Sequence, residues 1–181
     1  EGHLVGFEAD GEIDSVNIYN EITYLWATDK ILMPGSYQGN LLKNYFMNVL
    51  GINYRFNNNL QIIVEHLFNG LGDANNLDAS NIRYKYGLNS SLNEHLSGIS
   101  LTYEFNPLLI GKYDAKIAWQ DSSHQHNLTL TKSITDNLDF ILGSQINIGD
   151  RPSGGNWQNP NIQSEFGRLN NKYFLELKSY F

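Results

Sequence analysis

His95-Leu96-Ser97 is the segment of this chain that comes nearest to covalent chemistry. On a strand, residues two apart point to the same side. An imidazole and a hydroxyl would then stand together, and His95 could take the Ser97 proton as the oxygen attacks an acyl carbon. His124-Gln125-His126 repeats the spacing with two imidazoles, in what reads as a loop. Two histidines fill only part of a metal coordination shell, so solvated loop histidines are the plainer reading. Asp73 and Asp78, in GDANNLDAS, are oxygen ligands of the kind Ca²⁺ takes, but their spacing is not that of an EF-hand and a polar loop is the plainer reading. There is no phosphate loop, dinucleotide fingerprint or full triad. No cofactor, no metal and no enzymatic activity are therefore expected, and a hydrolase using Ser97 and His95 is the subordinate reading.

The other residues able to act are charged, and they share a parity. Glu8, Asp10, Glu12, Glu21, Arg55, Glu65, Glu104, Lys112, Asp114, Lys116, Asp139, Glu176 and Lys178 all fall on the polar side of segments that alternate polar and apolar. Side chains of both signs gathered on one wet face can tune the selectivity of a pore. They can equally pair and plug a narrow interior, because an unpaired buried charge is costly. The acidic row Glu8, Asp10, Glu12 faces no basic run in sequence and would favour cations or sit in water.

The elements that carry these residues are strands, for period two runs through almost the whole chain. The alternation predicts nine strands, over 4–13, 16–28, 44–56, 60–70, 94–105, 108–120, 126–135, 138–149 and 166–181. Most are 10 to 14 residues long, whereas ordinary strands are about 5 to 6 and a tilted membrane-spanning strand needs about 9 to 11. Asp14-Ser15, Asn57-Asn58-Asn59, Asn106-Pro107 and Asp136-Asn137 have tight-turn chemistry. They alternate with the connections 29–43, 71–93, 121–125 and 150–165, which puts all turns on one rim and all loops on the other. Composition agrees. Of 181 residues, 41 % are hydrophobic and only 17 % charged, against about 25 % charged in soluble domains. Tyr (11), Phe (9) and Trp (3) are plentiful, and Tyr24, Trp26, Tyr54, Phe56, Tyr103 and Phe105 gather near strand ends as interfacial girdles do. A net charge of −7 excludes nucleic acid as a partner. The chain has no Cys, so no disulfide framework or thiolate site exists.

The last ten residues, KYFLELKSYF, alternate up to a terminal aromatic. This segment resembles the closing strand of bacterial outer-membrane β-barrel proteins. More loosely, GFEADGEI, EHLFNGLGD, INIGDRPSG and SEFG together with that ending are similar to porin-like outer-membrane barrels. The resemblance implies an antiparallel up-and-down transmembrane barrel in the outer membrane. It also implies that Tyr173, Leu175, Leu177 and Phe181 form an assembly signal read by the barrel-assembly machinery. Lipid bilayer and lipopolysaccharide would surround the barrel, and other envelope proteins could bind its external loops. The expected function is a porin-like passive channel for small polar solutes. The alternative is a plugged structural barrel whose loops 29–43, 71–93 and 150–165 bind a partner. His95-Leu96-Ser97 is in part similar to the His-x-Ser pair that outer-membrane phospholipases carry on the lipid face of a strand, except that Gly98 stands where they have Asn. A soluble lipocalin-like barrel, with the apolar face inside, is the rival at the level of fold.

Counting back from Phe181, nine strands put residue 1 on the long-loop rim, whereas single-chain bacterial barrels have an even strand number. Two expectations follow. Either this is the C-terminal part of a larger barrel, completed by a missing N-terminal segment or another chain, or the count is short by one and NIRYKYGL (81–88) supplies a further strand.

Overall fold

Apolar residues at every second position cannot share one side of a helix, but they line one side of an extended chain. The segments that alternate in this way are extended throughout the structure, a computed structural model that describes residues 2–27, 43–72, 82–85, 87, 89, 91–156 and 159–180. The long strands are β1 (Gly2–Ile13), β2 (Val16–Ala27), β3 (Tyr45–Arg55), β4 (Leu60–Asn69), β5 (His95–Asn106), β6 (Leu109–Ala118), β7 (His124–Thr135), β8 (Leu138–Ile148) and β11 (Lys172–Ser179). Two-residue strands β9 (Gly155–Asn156) and β10 (Asn159–Pro160) pair only with each other. No helix among the described residues is long and apolar enough to cross a membrane, a statement that does not bear on strands.

The nine long strands form one antiparallel sheet in chain order, each hydrogen-bonded to the next, with β11 following β8. The fold is all-β and up-and-down. Among the described residues, β1 pairs with β2 alone and β11 with β8 alone. Neither outer edge is paired to a second strand among the described residues. The stretch 82–85 is a single helical turn rather than a strand. Residues 166–169, expected to open the last strand, instead form a turn closed by a hydrogen bond from Leu169 N to Phe166 O. His124 and His126, expected in a loop, lie in β7.

Register keeps the parity of every strand aligned with its neighbour. One continuous row runs Asp10, Tyr19, Gly51, Glu65, Gly98, Lys116, Gln125, Asn147. The next row on the opposite face runs Gly11, Ile18, Ile52, Val64, Ile99, Ala115, His126, Ile146. The sheet thus has a polar face and an apolar face. The apolar face is uncovered: Phe7 is 65 %, Leu128 57 % and Leu175 66 % exposed. At the turn rim this face carries the edge-to-face pairs Tyr54–Phe56 and Tyr103–Phe105, with ring centroids 4.5 and 4.8 Å apart. At the loop rim it carries Tyr24–Trp26, Phe46–Phe68 and Phe68–His95.

The small buried core lies at the loop rim. Leu71, Leu92, Ile162 and Phe166 are buried there together with Asn69, Arg83, Asn89, Ser91, Asn93, Ser123, Ser164 and Glu165. The opposite rim is made of tight turns. Asp14 and Ser15 both have positive φ, 49° and 70°, the geometry of the two-residue hairpin turn whose twist matches that of the strands. Neither is glycine, and a side chain in this region costs roughly 1–2 kcal/mol, less for Asp. Ser15→Gly is expected to stabilise the protein by about 0.5–1 kcal/mol, after allowance for glycine's greater unfolded freedom. Equilibrium urea unfolding in detergent micelles checks this, and an unchanged or lower midpoint contradicts it.

Candidate functional site

The polar face gathers all the charged residues whose parity marked them in sequence. Glu8 stands opposite Glu21, Arg55 donates to Glu104 at 3.3 Å, and Lys112 contacts Asp114 at 3.2 Å. Gly98 alone separates Glu65 from Lys116 in their shared row. Asp139 faces Lys178 across β8 and β11 and accepts from the Tyr180 hydroxyl at 3.1 Å, and Glu176 faces Ile141. The Tyr19 ring lies over Gly51, where any side chain would collide with it, and its hydroxyl donates to Glu65. Phe174 lies over Gly143 in the same manner. These aromatic side chains lie flat on the polar face because a glycine leaves room on the neighbouring strand.

The acidic row differs from the rest. Asp10 accepts a hydrogen bond from Asn17, and the sheet neighbours of Glu8, Glu12 and Glu21 are Glu, Asn and Val side chains. Among the described residues no cation forms an ion pair with any of the four. Charge on β1–β2 is thus of one sign, whereas from β3 onward it is mixed.

The loops fold over the other half of the polar face. Asn69, Ala118, Gln125 and Asn147 belong to that face by register, and all are buried at its loop-rim end. Asn69 donates to Asn89 at 2.8 Å and to the carbonyls of Ser91 and Asn93. Asn147 donates to Asn170 O at 2.8 Å, and Gln125 donates to Asn147 at 2.7 Å. Two carboxylates tie the loops to one another. Glu165 accepts from Leu92 N at 2.6 Å and from the Ser91 hydroxyl at 3.0 Å, and pairs with Arg168 at 3.5 Å. Asp121 accepts from Asn93 Nδ2, Ser123 N and Glu165 N, all at 2.7–2.8 Å. Arg168 also donates to the Tyr84 hydroxyl, its guanidinium lying 4.5 Å from the centre of that ring. This loop layer covers the loop-rim ends of β4, β6, β7 and β8 on the polar face.

A polar cluster interrupts the apolar face near the loop rim. His95 and Ser97 share that face, as their spacing requires. The imidazole within reach of Ser97 is nevertheless His66, on the neighbouring strand: His66 Nδ1 is 2.9 Å from Ser97 Oγ. His66 Nε2 is 3.2 Å from His95 Nδ1. The Trp119 indole N–H donates to Ser97 Oγ at 2.9 Å. His124 and His126 project on the same face with ring centroids 5.2 Å apart, and His126 Nδ1 is 2.7 Å from the Tyr113 hydroxyl. Among the described residues no three His, Cys, Asp or Glu side chains cluster as metal ligands. Asp73, Asp78 and Phe181 lie outside the described residues, while Tyr173, Leu175 and Leu177 line the apolar face of β11.

No family model matches the chain, and neither a curated protein nor a solved structure does.

Sequence reasoning missed His66, Trp119 and the loop carboxylates. His66 had a signal: in Ile62, Val64, His66, Phe68 it is the polar interruption of an apolar run. Glu165 and Asp121 had none, because they bond backbone N–H groups and side chains distant in sequence, apart from the Glu165–Arg168 pair at i, i+3. Replacing Glu165 with Ala leaves the buried Leu92 N–H without its acceptor and Arg168 without its paired carboxylate. The expected loss is about 2–4 kcal/mol of stability, read as a lower unfolding midpoint and faster tryptic cleavage at Arg168. A midpoint within about 0.5 kcal/mol of the parent, the scatter of ordinary surface substitutions, contradicts the loop layer as a packed unit.

Proposed function

We propose that this chain forms wall strands of a bacterial outer-membrane β-barrel that acts as a porin-like passive channel for small polar solutes. The carrying observation is the unbroken two-sidedness of the sheet. One face holds all the strand charges but Lys132, and the other exposes large hydrophobic side chains with nothing laid over them among the described residues. Water penalises such a face by roughly 25 cal/mol per Å², whereas acyl chains do not. Aromatic pairs at both ends of the apolar face suit the two interfaces of a bilayer. The rival soluble barrel would need the apolar face inside, against a core, and the buried hydrophobic side chains gather instead at the loop rim.

In this reading the polar face lines water. The loop layer narrows the path beside β4 and β6–β8 and leaves it open beside β1 and β2, where Glu8, Asp10, Glu12 and Glu21 supply a one-sign field. Solutes pass along that acidic side, and cations are favoured. The free edges of β1 and β11 pair with further strands, since no backbone group can be left unpaired in hydrocarbon. The loop layer also favours a second reading, a barrel whose interior is closed and whose loops bind a partner in the envelope.

Planar-bilayer recording separates the two. Stepwise conductance is expected, with a reversal potential that marks cation preference and moves towards zero in the Glu8→Gln, Glu21→Gln double variant. A silent bilayer at high protein concentration favours the closed barrel. Thiol labelling tests the membrane face independently, because the chain has no native Cys. In reconstituted vesicles, Thr129→Cys and Thr131→Cys are expected to react with a water-soluble maleimide, and Leu128→Cys and Leu130→Cys to remain unlabelled. Equal labelling along β7 contradicts burial of the apolar face in lipid.

A further inference from the structure

We propose that Ser97 is a nucleophile towards long-chain carboxylic esters, with His66 as its general base and His95 as the residue that positions His66. The proposal rests on the reading above in one respect only, that lipid meets the apolar face. The geometry stands without it. With His66 protonated on Nε2, that N–H points to His95 Nδ1 at 3.2 Å, and the Nδ1 lone pair receives the Ser97 hydroxyl at 2.9 Å. Serine, base and orienting acceptor thus form one directed chain of hydrogen bonds. Three strands contribute to it or flank it: β4 supplies His66, β5 supplies His95 and Ser97, and Trp119 follows directly on β6.

A groove of about 480 Å³ is lined by Ser97 together with Val64, Ile99, Ala115, Ile117 and the two histidines His124 and His126. An acyl chain is the occupant that suits walls so apolar, and its carbonyl carbon would then lie at the serine. Depth suits the substrate as well. Ser97 is two residues from the start of β5, about 7 Å at the usual rise per residue. Ester groups of membrane lipids lie at this boundary between headgroups and chains, where water is also at hand.

The steps balance. Ser97 Oγ bonds to the ester carbonyl carbon as its proton passes to His66 Nδ1. The C–O bond to the alcohol then breaks, and the alcohol leaves with that proton. Water next attacks the acyl carbon, gives a proton to His66, and the Ser97 oxygen leaves and takes it back, freeing a carboxylic acid. The Trp119 N–H, 2.9 Å from Oγ, is the donor nearest the reacting oxygen. The backbone N–H groups of Leu96 and Gly98, on either side, lie within paired sheet. Support for the oxyanion is therefore slight, and the acyl-enzyme is expected to accumulate.

The test is made on the full chain in detergent micelles, with a long-chain alkyl fluorophosphonate as probe and intact mass as readout. One adduct per chain is expected, mapped to Ser97 by peptide sequencing. His66→Gln is expected to slow labelling about 100-fold, His95→Leu to slow it about 10-fold, and His95→Gln, which keeps an acceptor, to recover most of the rate. Ser100→Ala, on the polar face, leaves it unchanged. Circular dichroism and heat-modifiable migration verify that each variant is folded. No adduct at Ser97, or an adduct that forms equally fast in folded His66→Gln, overturns the proposal. Release of fatty acid from phospholipid vesicles, against cleavage of a dispersed long-chain nitrophenyl ester, then separates a bilayer lipid from a free ester as the source. The labelling needs no bilayer, so its failure is distinct from failure of the thiol pattern along β7.

Discussion

Parity is the constraint on which the rest of this structure depends. A strand alternates its side chains with a period of two, and a shift of one residue in pairing would turn an entire strand over. From β1 to β11 no such shift reverses the faces. Irregularities in pairing occur between Glu104 and Asn106 and between Ser133 and Thr135, both next to tight turns, where the strands are about to end. Because parity is kept, charges as distant in sequence as Glu8 and Lys178 share one face, and the apolar side chains share the other. Every functional statement about this protein descends from that separation. The polar face is continuous enough to line a water path, and the apolar face is uncovered enough to need something other than water against it.

Parity does not explain the loop rim. There the polar face is sealed by side-chain to backbone hydrogen bonds in which a few Asn, Asp and Glu residues satisfy groups that no strand pairs. Glu165 and Asp121 each collect several donors, and close approach of the backbones does the rest. A Cβ on Gly72 or Gly167 would collide with backbone atoms of neighbouring loops. The consequence is an asymmetric polar face, mixed in charge and covered on one side and, among the described residues, acidic and exposed on the other. The asymmetry places the acidic row where charge still matters, since a charge in open water is screened within about 10 Å whereas one beside a low-dielectric wall is felt further.

Much of this was legible in the sequence. Eight of the nine long strands lie within two residues of the ranges that alternation predicts at both ends; the end of β6 and the start of β7 both come two residues early, which moves the short connection to residues 119–123. β11 starts later than expected because Phe166 turns into the buried loop layer instead of continuing the strand. The charged residues were assigned to one face from parity alone. What sequence could not give was register. Ser97 lies opposite His66 only because Glu65 pairs with Gly98 and Val64 with Ile99, and that offset is set by the long connection 70–94, whose length cannot be read as a turn type. The stretch 82–85 shows the converse failure. Ile82, Tyr84 and Tyr86 have strand chemistry, yet Tyr84 is held by Arg168 and Arg83 is buried, so tertiary contacts make a helical turn of it.

Polar groups on the apolar face obey a rule that distinguishes two kinds of interruption. Asn48 donates to Asn20 Oδ1 across β2 and β3 and to the Glu21 carbonyl, a bond between two side chains of the sheet itself. The group formed by His66, His95, Ser97 and Trp119 is also internally bonded, but its bonds run from the Trp119 indole through the Ser97 hydroxyl and His66 to His95, and Ser97 also lines a groove. Desolvation makes any polar group on such a face costly. Mutual pairing lowers that cost in both cases, and for Asn20 and Asn48 it accounts for everything seen. Ser97 Oγ is the atom that joins the His66 imidazole to the Trp119 indole, and it lines a groove as well. Ser97 differs from Asn20 and Asn48 in that its hydroxyl stands beside a proton acceptor and also lines an apolar groove.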